Sequence, residues 1–222
     1  YNDNMVESLL GQYDFADVNG PGLTGAFAMR LQEGYPMFSY YLLEFEGYDA
    51  AGQAIVSDDK SFVGKSALPN LTGGLSTNLN YKQFSLSAYF NGQFGHYIYN
   101  NTANAFFTAG AFGTTRNVLP ETLTSGEALG ASAAASTRFL EKGDFVRLQN
   151  LSLAYDMPLS GKGVFKSMVF SVTGQNLFLM TDYSGLDPEV SSATGGNLPS
   201  IGMDYGAYPN PSTITFGINA KF

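Results

Sequence analysis

Cysteine is absent from this 222-residue chain, which excludes disulfides, thiol catalysis and cysteine metal sites. Histidine occurs once, at His96, with no acid and nucleophile arranged around it in the sequence, so no catalytic constellation is indicated. Basic residues are also scarce: Lys and Arg number 11 against 19 acids, the net charge is -8, and no cluster exists to neutralise phosphates. A nucleic-acid partner is therefore not expected. No apolar run approaches 18 residues and mean hydropathy is -0.05, which excludes a helical membrane span. The stretch GYDAAGQAIVSDD carries Asp49, Asp58 and Asp59 without the compact spacing of an EF-hand loop, so no metal is expected. Asp182, Asp187 and Glu189 read as turn formers rather than an acid/base pair, because Asp before Pro initiates turns. No catalytic residue and no cofactor follow from this inventory. The chain opens on Tyr1, with neither a start methionine nor a signal peptide, and reads as a processed product or an internal piece.

What the chain does contain is two-residue alternation. In Ser212 to Phe222, the residues Ile214, Phe216, Ile218, Ala220 and Phe222 share one face, opposite Thr213, Thr215, Gly217, Asn219 and Lys221. A strand of about ten residues with one charge-free face suits a tilted crossing of an outer membrane. Upstream, Phe84, Leu86, Ala88 and Phe90 alternate with Ser85, Ser87, Tyr89 and Asn91, while Leu71, Leu75 and Leu79 alternate with polar or small residues. Only the turn at Lys82 and Gln83 separates the two runs, so they form a hairpin. Phe145 to Asp156 and Ser167 to Leu179 follow, divided by MPLSGKG. The first of these changes phase near Asn150, since Val146 and Leu148 oppose Leu151, Leu153 and Tyr155, and a β-bulge would account for it. With 18 Phe and 14 Tyr, many near strand ends, the chain can build interfacial girdles.

The connections are asymmetric. Those at Lys82 and at Met157 to Lys166 are short, whereas Gly95 to Thr137 and Thr181 to Pro211 are long. Short periplasmic turns and long external loops are the expected pattern of an outer-membrane barrel. Met37 to Glu46 adds a strand, Gly22 to Leu31 reads as another or as a covered extension, and the stretch up to Asn70 reads as a connection, giving about seven strands in all. An open edge of about ten residues in lipid would cost tens of kcal/mol, at several for each unpaired group, so about seven strands cannot stand alone. The expectation is an all-β fold: the C-terminal portion, residues 1–222, of an antiparallel transmembrane β-barrel of roughly 22 strands.

Five segments then carry a family resemblance: EGYPMFSYYLLEFEGYD, NLNYKQFSLSAYFNGQFGHYIYN, RFLEKGDFVRLQNLSLAYDMP, VTGQNLFLMTDYSGLDPEV and DYGAYPNPSTITFGINAKF. Together they resemble, in order, the signatures of the SusC/RagA family of TonB-dependent outer-membrane transporters. The resemblance implies a Gram-negative outer-membrane location, an N-terminal plug, and earlier strands of the same barrel outside this chain. It also implies a SusD-like substrate-binding lipoprotein as a lid and energy from TonB, ExbB and ExbD. Relatives often carry a calcium-like acidic run after the GYPM-like motif, from which the sequence here departs.

The function so implied is import of an oligosaccharide or peptide. Two other readings stand beside it: a SusC-like barrel serving as a structural or assembly component of a larger outer-membrane complex, and a soluble sandwich used in adhesion. An upstream plug and TonB-box-like segment would mark import. Candidate ligand contacts are aromatic and polar residues of the long connections: Tyr97, Tyr99, Asn100, Asn101, Arg116, Tyr183, Tyr205 and Tyr208. Aromatic faces and amides suit sugars and peptides alike, through stacking and hydrogen bonds.

Overall fold

A computed structural model describes residues 1–114, 117–131, 133–159, 163–191 and 201–222. The strands in chain order are β1 (Tyr13–Val18), β2 (Ala26–Leu31), β3 (Ser39–Leu42), β4 (Phe45–Tyr48), β5 (Ala54–Val56), β6 (Ser61–Ser66), β7 (Leu71–Tyr81) and β8 (Phe84–Phe94). After them come β9 (Tyr97–Asn100), the short helix α1 (Asn101–Phe106), β10 (Leu140–Lys142), β11 (Phe145–Asp156), β12 (Ser167–Thr181), β13 (Met203–Asp204) and β14 (Thr213–Lys221). They fall into two compact units. One holds Tyr1–Leu71, Gly95–Asp144 and Tyr183–Tyr208; the other holds Thr72–Phe94, Phe145–Asp182 and Pro209–Phe222.

The second unit is an antiparallel five-stranded sheet in the order β14-β12-β11-β8-β7. Its strands are the long ones that alternation predicts, and its registers line up the apolar faces. On β11, Leu153 lies between Leu86 of β8 and Val172 of β12, and Tyr155 between Phe84 and Phe170. Across the next ladder, Phe170 faces Ile218 and Val172 faces Phe216. The phase change near Asn150 is a bulge, because both registers of β11 shift between Leu148 and Asn150. One extra residue restores the parity, so Val146 and Leu148 join Leu151 and Leu153 on the same face. On the other face, Ser152 and Thr173 share a hydroxyl hydrogen bond of 2.9 Å. There too the Tyr89 ring lies so close over Gly74 that an added Cβ would stand 2.9 Å from its hydroxyl, so the glycine keeps room for an aromatic across the hairpin. Lys82 turns the β7–β8 connection with φ of 52°.

The apolar face has no core beneath it within its own unit. Leu75, Leu79, Tyr81, Phe178, Met180, Ile214, Ile218 and Phe222 are exposed, and Phe216 is 82% exposed. A continuous apolar surface of this kind needs an apolar cover, and a sheet whose faces alternate in this way is the wall of a partial barrel. Among the described residues no helix is long and apolar enough to cross a membrane, which says nothing of strands.

The first unit departs from the sequence reading in detail. Gly22 to Leu31 and Met37 to Glu46 do form strands, but short ones: β2 takes the end of the first, and the second splits into β3 and the start of β4. The stretch read as a plain connection folds into the β4–β5 hairpin and β6. The strands β1-β2-β3-β6 make a sheet, and Phe15, Val18, Ala28, Met29, Phe38, Tyr40 and Leu42 fill its core. Tyr99 and Met203, from the two long connections, and Phe139, just after the first, belong to the same core. Those connections are therefore built structure rather than bare loops.

Candidate ligand-binding site

The segment YIYN of β9 is the spine on which the two long connections assemble. It pairs antiparallel with β10, Tyr99 opposite Leu140, and parallel with β13, Tyr99 opposite Met203 and Asn100 opposite Asp204. The Asn100 side chain ends the strand and starts the helix: its Oδ1 accepts from Ala103 N at 2.9 Å, capping α1. Its Nδ2 donates to Glu141 Oε1 at 3.0 Å and to Ser184 Oγ at 3.1 Å. Ser184 in turn donates from N and Oγ to the same carboxylate, both at 2.8 Å.

A second cluster surrounds Asp204. The Tyr183 hydroxyl donates to Oδ2 at 2.6 Å and the Thr102 hydroxyl to Oδ1 at 2.9 Å, while Gly206 N donates to Thr102 Oγ1 at 2.8 Å. The Tyr40 hydroxyl reaches Gly202 O at 2.8 Å and Tyr97 O at 3.0 Å, tying β3 to both connections. Burial pushes the phenols of Tyr40, Tyr99 and Tyr183 well above their usual range, and for Tyr183 the bond to the Asp204 carboxylate pushes further the same way. All three are neutral at physiological pH: Tyr40 and Tyr183 donate, while the Tyr99 hydroxyl accepts from Asn104 Nδ2 at 2.9 Å. Burial holds the His96 imidazole below its ordinary value, with the Asp144 carboxylate opposing.

These contacts sort the candidate residues. Tyr99, Asn100, Asn101 and Tyr183 are buried, with Tyr99 and Asn101 at 0% exposure. Tyr99, Asn100 and Tyr183 hold the scaffold together. Among the described residues the Asn101 side-chain N and O meet no hydrogen-bond partner. Tyr205 is half-buried, its ring stacked on Phe106 at 5.6 Å and 21°. Tyr208 is 96% exposed. Tyr97 is half-buried and lines a cleft, and Arg116 lies outside the described residues.

The cleft itself, an open hollow of about 620 Å³, was not legible in the sequence. Besides Tyr97 its wall includes Tyr35, Phe62, Lys65, Asn70 and Lys142. Tyr35 and Phe62 stack at 3.6 Å and 13°, and Lys65 Nζ stands 4.7 Å from the centroid of the Tyr97 ring. Aromatic faces beside amides and ammonium groups can stack on an apolar ligand face and bond its polar edge. Each residue looks unremarkable in its own stretch, and only folding brings them together. The acidic stretches do what turns require: Asp49 Oδ1 accepts from Ala51 N and Gln53 N, and Asp187 Oδ1 from Glu189 N. Among the described residues no group of three or more His, Asp or Glu is placed to hold a metal ion.

No protein-family model matches the chain. Among curated proteins, it is similar to TonB-dependent receptor P26 of Formosa agariphila, 35% identical over 189 residues, covering 79% of this chain and 19% of the relative. It is 34% identical to TonB-dependent receptor P3 of the same organism over 188 residues, covering 80% of this chain and 19% of the relative. TonB-dependent receptor SusC of Bacteroides thetaiotaomicron is 26% identical over 253 residues, covering 100% of this chain and 24% of SusC. Among solved structures, the RagAB peptide transporter matches at a TM-score of 0.71 and 26% identity, over 96% of this chain and 25% of that one. The RagAB peptide importer in its open-open state matches at 0.73, again with 26% identity, over 96% and 24%. The chain thus spans about a fifth to a quarter of the length of the relatives it matches. Agreement in sequence and fold along nearly the whole chain assigns it: it belongs to the SusC/RagA-like family of TonB-dependent transporters, as a portion of the barrel.

Proposed function

We propose that the protein containing this chain imports an oligosaccharide or peptide nutrient across a Gram-negative outer membrane, and that residues 1–222 are the C-terminal portion of its barrel. The observation that carries this reading is the register of the five-stranded sheet, which lines up one apolar face through a bulge and leaves that face exposed. Within the sheet β7 and β14 are edge strands. In lipid, their unpaired N–H and C=O groups require further strands, which the rest of the polypeptide supplies along with a plug. A SusD-like lipoprotein caps the barrel, and the TonB, ExbB and ExbD complex drives transport. Two relatives support the nutrient class: SusC is a TonB-dependent receptor, and RagAB a peptide transporter. The protein carries cargo without transforming it.

Uptake by cells expressing the full-length protein tests the reading. Labelled oligosaccharides and peptides are offered with and without TonB. Accumulation of one class, abolished without TonB and accompanied by a co-purifying lipoprotein, is the expected result. An intact, membrane-inserted barrel that accumulates neither class, and that purifies within a larger assembly lacking such a lipoprotein, would favour a structural role instead.

A further inference from the structure

The short-turn end of the five-stranded sheet differs in charge from the rest of the chain. Here β7 meets β8, β11 ends, β12 begins and β14 ends. The apolar face finishes in aromatics: Tyr81, Phe84 and Tyr155, the last two 4.9 Å apart, and Phe222, which packs on Phe165 at 5.0 Å. Two lysines stand within this belt. Lys82, in the β7–β8 turn, places its Nζ 5.4 Å from the centroid of the Tyr81 ring, on the apolar side. Lys166 immediately precedes β12 and continues the parity of Met168 and Phe170, with its N donating to Lys221 O at 2.7 Å. Among the described residues the remaining charged side chains at this end have the other parity: Asp156 follows Tyr155, and Lys221 lies opposite Ser167. In a chain of net charge -8, the charged side chains on the apolar side of this rim are positive among the described residues.

We infer that Lys82 and Lys166, with the aromatic belt around them, form a docking surface for the headgroups of anionic phospholipids in the membrane leaflet that meets the short turns. This rests on the membrane reading above. The two lysines are separated by about two to three strand spacings, about 10 to 14 Å at 4.8 Å each, so the surface takes adjacent headgroups rather than a single chelated phosphate. Aromatic rings settle at the headgroup level, and an ammonium beside them meets the phosphodiester while its stem stays along the rings. A lysine near an anionic surface strengthens attachment about fivefold at low salt.

The test uses full-length, cysteine-free protein reconstituted in phosphatidylcholine vesicles, with Gln83→Cys carrying a fluorophore beside Lys82. Quenching by headgroup-labelled phosphatidylglycerol is compared with that by labelled phosphatidylcholine. The anionic quencher is expected to act at about fivefold lower mole fraction, an advantage that Lys82→Gln with Lys166→Gln removes and Lys221→Gln leaves intact. Equal quenching by both lipids in inserted wild-type protein would overturn the inference, as would an equal loss from Lys221→Gln. So would selective displacement by inorganic phosphate at constant ionic strength, which marks a free-anion site. Failure of the protein to insert, read by co-flotation with vesicles, would instead overturn the membrane reading.

Discussion

Leu148 and Leu151 stand three residues apart on β11 yet project from the same face, one between Phe90 and Phe178, the other between Ala88 and Gly174. A regular strand would put them on opposite faces. The register shift between Leu148 and Asn150 absorbs the extra residue and keeps the apolar surface unbroken.

Deleting Gln149 removes that extra residue and leaves Leu148 and Leu151 two positions apart, so regular pairing keeps Leu151, Leu153 and Tyr155 on the apolar face. The deletion variant of the full-length protein is expected to keep the folded electrophoretic species in unheated samples. A serine inserted after Leu151 turns Leu153 and Tyr155 to the opposite face, at a cost on the order of 5 kcal/mol, from about 1.5 to 3 for each large apolar side chain misplaced, and is expected to lose that species. Equal folding of the two variants would show that alternation does not set the phase.

Face assignment on β14 is separable in one residue step. Phe216 belongs to the exposed apolar face and Thr215 to the opposite one. Phe216→Arg is expected to cost about 2 to 4 kcal/mol near the midplane, and Thr215→Arg much less. Urea unfolding of both variants in vesicles measures the difference, and equal losses contradict the assignment.

In the first unit Arg138 grips Glu127 with two bonds, 2.9 and 2.8 Å, and the side chain of Glu127 is only 4% exposed. Glu127 also accepts from Ala109 N at 3.1 Å. Arg138→Met strands that carboxylate and is expected to cost about 3 to 5 kcal/mol. Limited proteolysis should cut within residues 107–135 much faster than in wild type, and Arg138→Met combined with Glu127→Leu should recover most of the loss.

His96 gives the first unit a pH dependence whose sign follows from burial. Its folded pKa lies below the ordinary 6.5, so unfolding takes up a proton. The stabilisation is complete above about pH 6.5 and is lost as pH falls from there through the lowered folded value. Proteolytic protection measured from pH 7.5 to pH 5 should decline in wild type and flatten in His96→Asn; an identical decline in both would assign it to another group.

Tyr99 and Tyr208 separate scaffold from surface. Tyr99→Ala empties a fully buried site and should cost about 3 to 5 kcal/mol, whereas Tyr208→Ala, at a 96% exposed residue, should leave thermal stability unchanged. Lower ligand affinity in Tyr208→Ala at unchanged stability would make it a contact residue.

The five long strands, their hairpin at Lys82, the bulge near Asn150 and the apolar face were all legible in the sequence, because alternation is a local signal that each strand carries alone. The five matching segments likewise carried the family. By contrast, the first unit was only half readable: β1, β5, β6, β9, β10 and β13 are short and lack clear alternation, and they form through partners far along the chain. The same holds for the ligand candidates. Tyr183 and Asn100 resemble surface polar groups in one dimension, but Asp204 and Glu141 claim them in three.

By itself, then, the chain's order of residues determined a sheet with one oily side and the lineage it belongs to, since period-two patterning depends only on neighbours along a strand. The tertiary structure alone decided which aromatics are buried and which line a cleft. Bonds such as the one from the Tyr40 hydroxyl to Gly202 O, across 162 positions, exist only once separate connections have been brought together around β9.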